Sequence, residues 1–182
     1  MVRAMSSIHA RAGSEGLELP HTHDCFVCGE SNVAGLRVRF IRQQDRVVSR
    51  VMARKEHCGF RGVVHGGVLT ALIDETMGWA PAYAKRRMAV TAEITVRFLK
   101  PVPPDTMLVV TGRFKADRRF YWETEGDISG EDGTVYVTAT AKFVPMTAGE
   151  SARVDRETLL YPEGGERIFQ SGPRGQEAGP PS

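Results

Sequence analysis

The stretch His65-Gly66-Gly67-Val68-Leu69-Thr70-Ala71-Leu72-Ile73-Asp74-Glu75-Thr76-Met77-Gly78-Trp79 decides how this chain folds. Val68, Leu69, Leu72, Ile73, Thr76, Met77 and Ala80 recur three and four apart, the spacing that gathers apolar side chains on one face of a helix. Pro81 lacks an amide hydrogen and crowds the preceding turn, so a helix from about Gly66 to Tyr83 is expected to end or kink near it. Two features are unusual for a buried helix. It opens on Gly66 and Gly67, which let a backbone or ligand approach its N-terminus. It also carries Asp74 in mid-course beside Ile73, where a carboxylate is costly unless paired, hydrated or used.

Both features fit one chemistry. A helix N-terminus offers unpaired N–H groups and partial positive charge, which suit a carbonyl oxygen turning into an oxyanion. A carboxylate near that carbonyl can attack it or activate water. Asp74 lies eight residues beyond Gly66, about 12 Å along a helix axis. One helix serves both ends of one carbonyl poorly at that distance, so Gly66 and Asp74 are expected from different subunits. Gly67, Ala71 and Gly78 lie close to the Asp74 face and would admit a second chain. The bland alternative is a glycine bend followed by a surface Asp on a polar stripe. Glu75 points roughly 100° away from Asp74 on the same helix and reads as a solvated or ion-paired residue.

The stretch resembles the motif of the hotdog-fold acyl-CoA thioesterases, in the phenylacetate-pathway-like branch of the thioesterase superfamily. That motif is His-Gly-Gly with an acidic residue nine positions after the His, matched here by His65, Gly66, Gly67 and Asp74. Gly59-Phe60-Arg61-Gly62-Val63-Val64 resembles the approach loop, and the run from Thr91 to Pro103 resembles the strand after the helix. The likeness spans roughly residues 24–146. It implies an α+β hotdog fold, a curved antiparallel sheet wrapped around one long central helix. It implies hydrolysis of an acyl-CoA thioester, with Asp74 as general base or nucleophile and Gly66 as the oxyanion donor. Thr91 would orient water or carboxylate, and His65 and Gly67 would shape the substrate-binding turn. Relatives often carry an Asn in the approach loop that holds the attacking water, where this chain has Cys58, Gly59 and Phe60. That departure keeps two alternatives open: a non-catalytic acyl-CoA-binding hotdog protein, and a hotdog hydratase or dehydratase.

Composition fits an ordinary globular protein. Apolar residues make up 41% and charged residues 25% of 182 residues, enough for one domain with a sizeable core. The net charge of +2, with acids and bases interleaved, gives no case for nucleic acid. No run approaches the ~20 apolar residues of a membrane span, and no signal peptide is visible. Three cysteines suggest no disulfide framework, so a reducing cytoplasm is the default expectation.

Along the chain, residues 1–20 read as a flexible leader, 21–147 as the hotdog domain and 148–182 as an extension ending in a disordered tail, with a short helix over Glu150–Leu160. His21, His23, Cys25 and Cys28 tempt a zinc reading, but a second ligand pair could come only from His57 and Cys58. The expectation is therefore a tight turn closed by Gly29, with no metal. Leu36–Phe40 and Arg46–Met52 alternate as strands, and four more strands follow the helix from Met88 onward. Arg97, Lys100, Arg113, Arg118 and Arg119 are candidates for coenzyme A phosphates, none of them singled out. Trp79, Tyr83 and Phe60 suit either an acyl pocket or the core. No cofactor is expected beyond the coenzyme A of the substrate. The assembly is expected to be a homodimer at least, with a homotetramer the fuller expectation.

Overall fold

A computed structural model describes residues 16–165 and 167–169. Strands β1 (Leu17–Glu18), β2 (His21–Thr22), β3 (Phe40–Gln43), β4 (Arg46–Ala53), β5 (Cys58–Phe60) and β6 (Val63–Val64) precede helix α1 (Gly66–Lys85). Strands β7 (Ala89–Phe98), β8 (Thr106–Asp117), β9 (Trp122–Gly130) and β10 (Val135–Pro145) follow, then helix α2 (Ala148–Thr158) and β11 (Leu159–Leu160). Seven strands form one sheet in the order β1-β3-β4-β8-β9-β10-β7, every pair antiparallel. The sheet wraps α1, which gives the hotdog arrangement expected from the sequence.

Helix α1 buries Leu69, Leu72, Ile73, Thr76 and Met77 against the sheet, the face its apolar spacing marks out. It does not end at Pro81. It runs through that residue to Lys85, where Arg86 takes a left-handed conformation (φ 51°) and donates its N–H to the Ala82 and Tyr83 carbonyls. Pro81 gives up one helical hydrogen bond. Trp79, Ala80, Pro81 and Ala82 are all buried around it, and tertiary packing of this kind outweighs one missing bond.

The first expected strand also shifts, from Leu36–Phe40 to Phe40–Gln43. Arg37 sits in the left-handed region (φ 56°), which breaks the extended run. The Leu36 and Val38 amides bond to the Phe26 and Val27 carbonyls instead, clamping this segment to the Cys25–Gly29 turn. Of the expected leader, Leu17 and Glu18 pair with Arg42 and Ile41, and Leu19 is fully buried; residues 1–15 lie outside the described residues. Of the expected C-terminal extension, α2 starts on a capping box between Thr147 and Glu150, and Leu159, Ile168 and Phe169 join the core. Residues 166 and 170–182 lie outside the described residues.

Two glycines set how closely the helix lies on the sheet. Gly112 of β8 and Gly126 of β9 are register partners. A Cβ on Gly112 would lie 2.6 Å from the Thr76 carbonyl oxygen and 2.7 Å from Met77 Cα, and one on Gly126 would lie 2.8 Å from Met77 Cγ. At Gly112 the obstacle is helix backbone, which cannot rotate away. Gly112→Val is expected to destabilise the fold by about 3 kcal/mol, the upper part of the usual overpacking range. Urea unfolding checks this; an unchanged midpoint would contradict the close helix–sheet approach.

Candidate active site

The N-terminus of α1 is built around His65. Its backbone is extended, and its Nδ1 accepts the Gly67 N–H at 2.8 Å. Its carbonyl accepts from Val68 (3.0 Å) and Leu69 (3.3 Å). Three of the first four helical amides are thus committed. The Gly66 N–H has no acceptor among the described residues, at the positive end of a twenty-residue helix. His65 therefore serves as the N-cap. Gly67 leaves room for its ring, since a Cβ there would lie 2.9 Å from Nδ1, and Gly59 leaves room for the other ring edge at 2.7 Å from Cδ2.

An apolar groove of about 340 Å³ opens in front of this turn. Phe60, Val63, Leu69, Phe98 and Leu99 line it beside Gly66, and Lys100 stands on its wall. Phe60 is 82% exposed here and so belongs to the groove, whereas Trp79 is buried and packs against Phe40. Tyr83 lies elsewhere, in a basic groove under the Arg42 guanidinium. Among the other cations considered for phosphates, Arg113 pairs with Asp127 and Arg118 with Glu123, while Arg119 stacks over Phe120.

Asp74 and Thr91 meet. Thr91 Oγ1, on β7, donates to Asp74 Oδ1 at 2.9 Å. Burial pushes the Asp74 carboxyl above its usual range, and the threonine hydrogen bond partly opposes that rise. A carboxylate made more basic by burial, with one oxygen oriented, is suited to accept a proton or attack an electrophile. Within one chain, Asp74 and Gly66 sit on the same uninterrupted helix, about 12 Å apart along its axis.

Glu75, read from the sequence as solvated or ion-paired, is half-buried and bonds to a thiol. Its carboxyl turns under the N-terminal segment, with Oε2 3.0 Å from Cys25 Sγ. Burial is the main cause that pushes it up to about 8. Cys25 moves the opposite way, down to about 4, held chiefly by the Cys28 thiol, with help from Glu75 and the Val27 and Cys28 amides. Cys28 is pushed up, by its hydrogen bond to Cys25 and by burial. The Cys25–Glu75 contact spans fifty residues of sequence, and no local pattern announces it. His57 and Cys58, the one further pair on offer as metal ligands, lie outside this cluster: His57 Nδ1 accepts the Arg54 amide.

Residues 61–137 match the thioesterase superfamily. The likeness to hotdog thioesterases read from the His65 motif therefore holds. The mouse acyl-coenzyme A thioesterase THEM4 is 29% identical over 104 residues, which cover 57% of this chain and 44% of THEM4. The chain thus spans less than half the length of that relative. A thioesterase superfamily protein of known crystal structure is 32% identical with a TM-score of 0.63, over 67% of this chain and 60% of its own. A hypothetical thioesterase of Streptococcus pneumoniae, crystallised with coenzyme A, is 22% identical with a TM-score of 0.56, over 60% and 85% of the two chains. At that identity the last likeness concerns the thioesterase hotdog fold alone. No helix among the described residues is long and apolar enough to cross a membrane.

Proposed function

We propose that this hotdog protein is an acyl-CoA thioesterase whose active sites are completed between two copies of the chain. The observation that carries the reading is the Gly66 N–H, which has no acceptor among the described residues, on a residue that lines an apolar groove at the head of α1. A thioester carbonyl placed there gains a donor and the helix dipole as its oxygen becomes negative. The groove suits an acyl or pantetheine chain, and Lys100 on its wall suits a phosphate. The pneumococcal neighbour was crystallised with coenzyme A, so a protein of this fold holds that ligand class.

The second copy follows from β7. Among the described residues this ten-residue strand ends the sheet, bonded to β10 on one side only, with Val90 and Phe98 about half exposed. A long apolar edge of this kind is normally covered. Antiparallel pairing with the β7 of a second copy, about a twofold axis near Ile94 and Thr95, brings Thr91 of one strand beside Phe98 of the other. Thr91 holds Asp74, and Phe98 packs at Gly66, where a Cβ would lie 3.2 Å from its ring. Under this pairing the carboxylate of one copy would come toward the oxyanion donor of the other. Asp74 would activate water or attack the carbonyl, Thr91 would orient its oxygen, and His65 and Gly67 would hold the turn that aims the Gly66 amide. No metal is needed for these steps. Dimerisation through β7 is the minimum assembly; a tetramer would pack two such pairs. The three free cysteines suit a reducing compartment such as the cytoplasm.

Commitment of His65 Nδ1 to Gly67 leaves Nε2 as the one ring nitrogen that a hydratase could use. The test is thiol release from short, long and aromatic acyl-CoAs, with enoyl-CoA absorbance followed alongside. Thiol release on at least one substrate supports hydrolysis. Tight acyl-CoA binding without thiol release across the panel would replace the reading with a binding protein.

A further inference from the structure

The turn that carries Cys25 and Cys28 is organised around sulfur. The amides of Val27 and Cys28 both point at Cys25 Sγ, at 3.2 Å and 3.5 Å. The Gly29 N–H closes the turn on the Cys25 carbonyl at 2.9 Å. Only glycine fits there, because a Cβ would lie 2.4 Å from that oxygen. Two amides converging on one sulfur stabilise a thiolate. Helix α1 then supplies a third acidic group from fifty residues away: Cys25 Sγ, Cys28 Sγ and a Glu75 carboxylate oxygen all lie within 4.8 Å of one another. Cys28 is fully buried, and Cys25 and Glu75 are half-buried. Asp74, the neighbouring residue, bonds instead to Thr91 of β7.

We infer that Cys25, Cys28 and Glu75 form a binding site for a single zinc-class divalent cation. Two thiolates select a borderline-soft ion over magnesium or calcium, and a carboxylate oxygen is a further ligand type that zinc accepts. With Zn–S of about 2.3 Å and Zn–O of about 2.0–2.2 Å, tetrahedral ligands stand roughly 3.5–3.8 Å apart. The Cys25–Glu75 separation of 3.0 Å then has to open by less than about 1 Å to admit the ion. Three protein ligands leave the fourth position to solvent. The metal replaces the protons that thiol and carboxyl groups share in the metal-free cluster, and those protons pass to water. Such an ion staples the N-terminal segment to α1 at the residue next to Asp74. Its role is to fix the helix register that presents the carboxylate; it takes no part in the hydrolysis.

The site is tested on the full chain, purified under reducing conditions, freed of metal by chelation and titrated anaerobically with zinc chloride and, separately, with cobalt(II). Expected are one zinc per chain by elemental analysis, a sulfur-to-cobalt charge-transfer band with a tetrahedral visible spectrum, and a higher Tm with zinc than with chelator. Because Cys28 is buried, the metal content and cobalt spectrum of the parent chain provide a readout that needs no variant. Glu75→Gln is then expected to retain the charge-transfer band and to bind zinc roughly 100-fold or more weakly. Substoichiometric zinc with no charge-transfer band in the reduced parent chain would overturn the inference. So would a cluster that only forms a Cys25–Cys28 disulfide, or unaltered zinc affinity in Glu75→Gln. None of these outcomes depends on whether the chain hydrolyses thioesters.

Discussion

Asp74→Asn is expected to lower kcat for acyl-CoA hydrolysis by about 10²–10⁴-fold, the usual contribution of a positioned base. Asparagine matches aspartate in shape, and its carbonyl can still accept the Thr91 hydroxyl that now reaches Asp74 Oδ1 at 2.9 Å. What it loses is the ability to take a proton or attack carbon. The fold should not suffer. Burial already works against the Asp74 charge, so a neutral amide at this position leaves Tm unchanged or raises it. Thiol-release kinetics beside a thermal melt check both halves. Parental turnover in a folded Asp74→Asn oligomer would remove the carboxylate from the mechanism.

Gly66→Pro is the second large effect. It removes the one first-turn amide hydrogen that has no acceptor among the described residues. Proline is well tolerated at the first helical position, and the extended backbone of His65 (φ −64°, ψ 131°) is the conformation a residue before proline prefers. The helix should therefore persist while the oxyanion donor disappears, lowering kcat by about 10²–10³-fold. The ring also places carbon near Phe98, where a Cβ would come within 3.2 Å. Gly66→Ala makes the same contact and keeps the N–H, so it should retain most of the activity. Equal losses in the two variants would mean that crowding at Phe98, and not the lost donor, is responsible.

What was legible in the sequence was local. The period of Val68 to Ala80 marked out α1, and the Gly66-to-Asp74 interval along one helix raised the expectation of a second subunit. Thr91 was legible through the family resemblance, and the structure brings it to Asp74. What was not legible depends on contacts between distant segments. Nothing near Glu75 announces Cys25, because the pairing exists only once the N-terminal segment folds over α1. Gly112 and Gly126 read as weak points within strands, and their purpose appears only when Met77 lies on them. Pro81 was read as an end or a kink in a helix reaching about Tyr83, and the buried surroundings of the helix end carry it on to Lys85. The shifted first strand has a similar origin, since Arg37 turns left-handed to join the cysteine turn rather than the sheet.

The shared active site is tested most directly by mixed dimers of the two inactive variants. Asp74→Asn and Gly66→Pro chains carrying different tags are co-expressed, and dimers holding one of each are isolated. If Asp74 of one copy serves Gly66 of the other, each mixed dimer has one site with both groups intact and one with neither, and should recover about half the parental activity. If each site lies within a single chain, every site in the mixed dimer carries one lesion. Mixed dimers as inactive as the two parent variants would contradict the account.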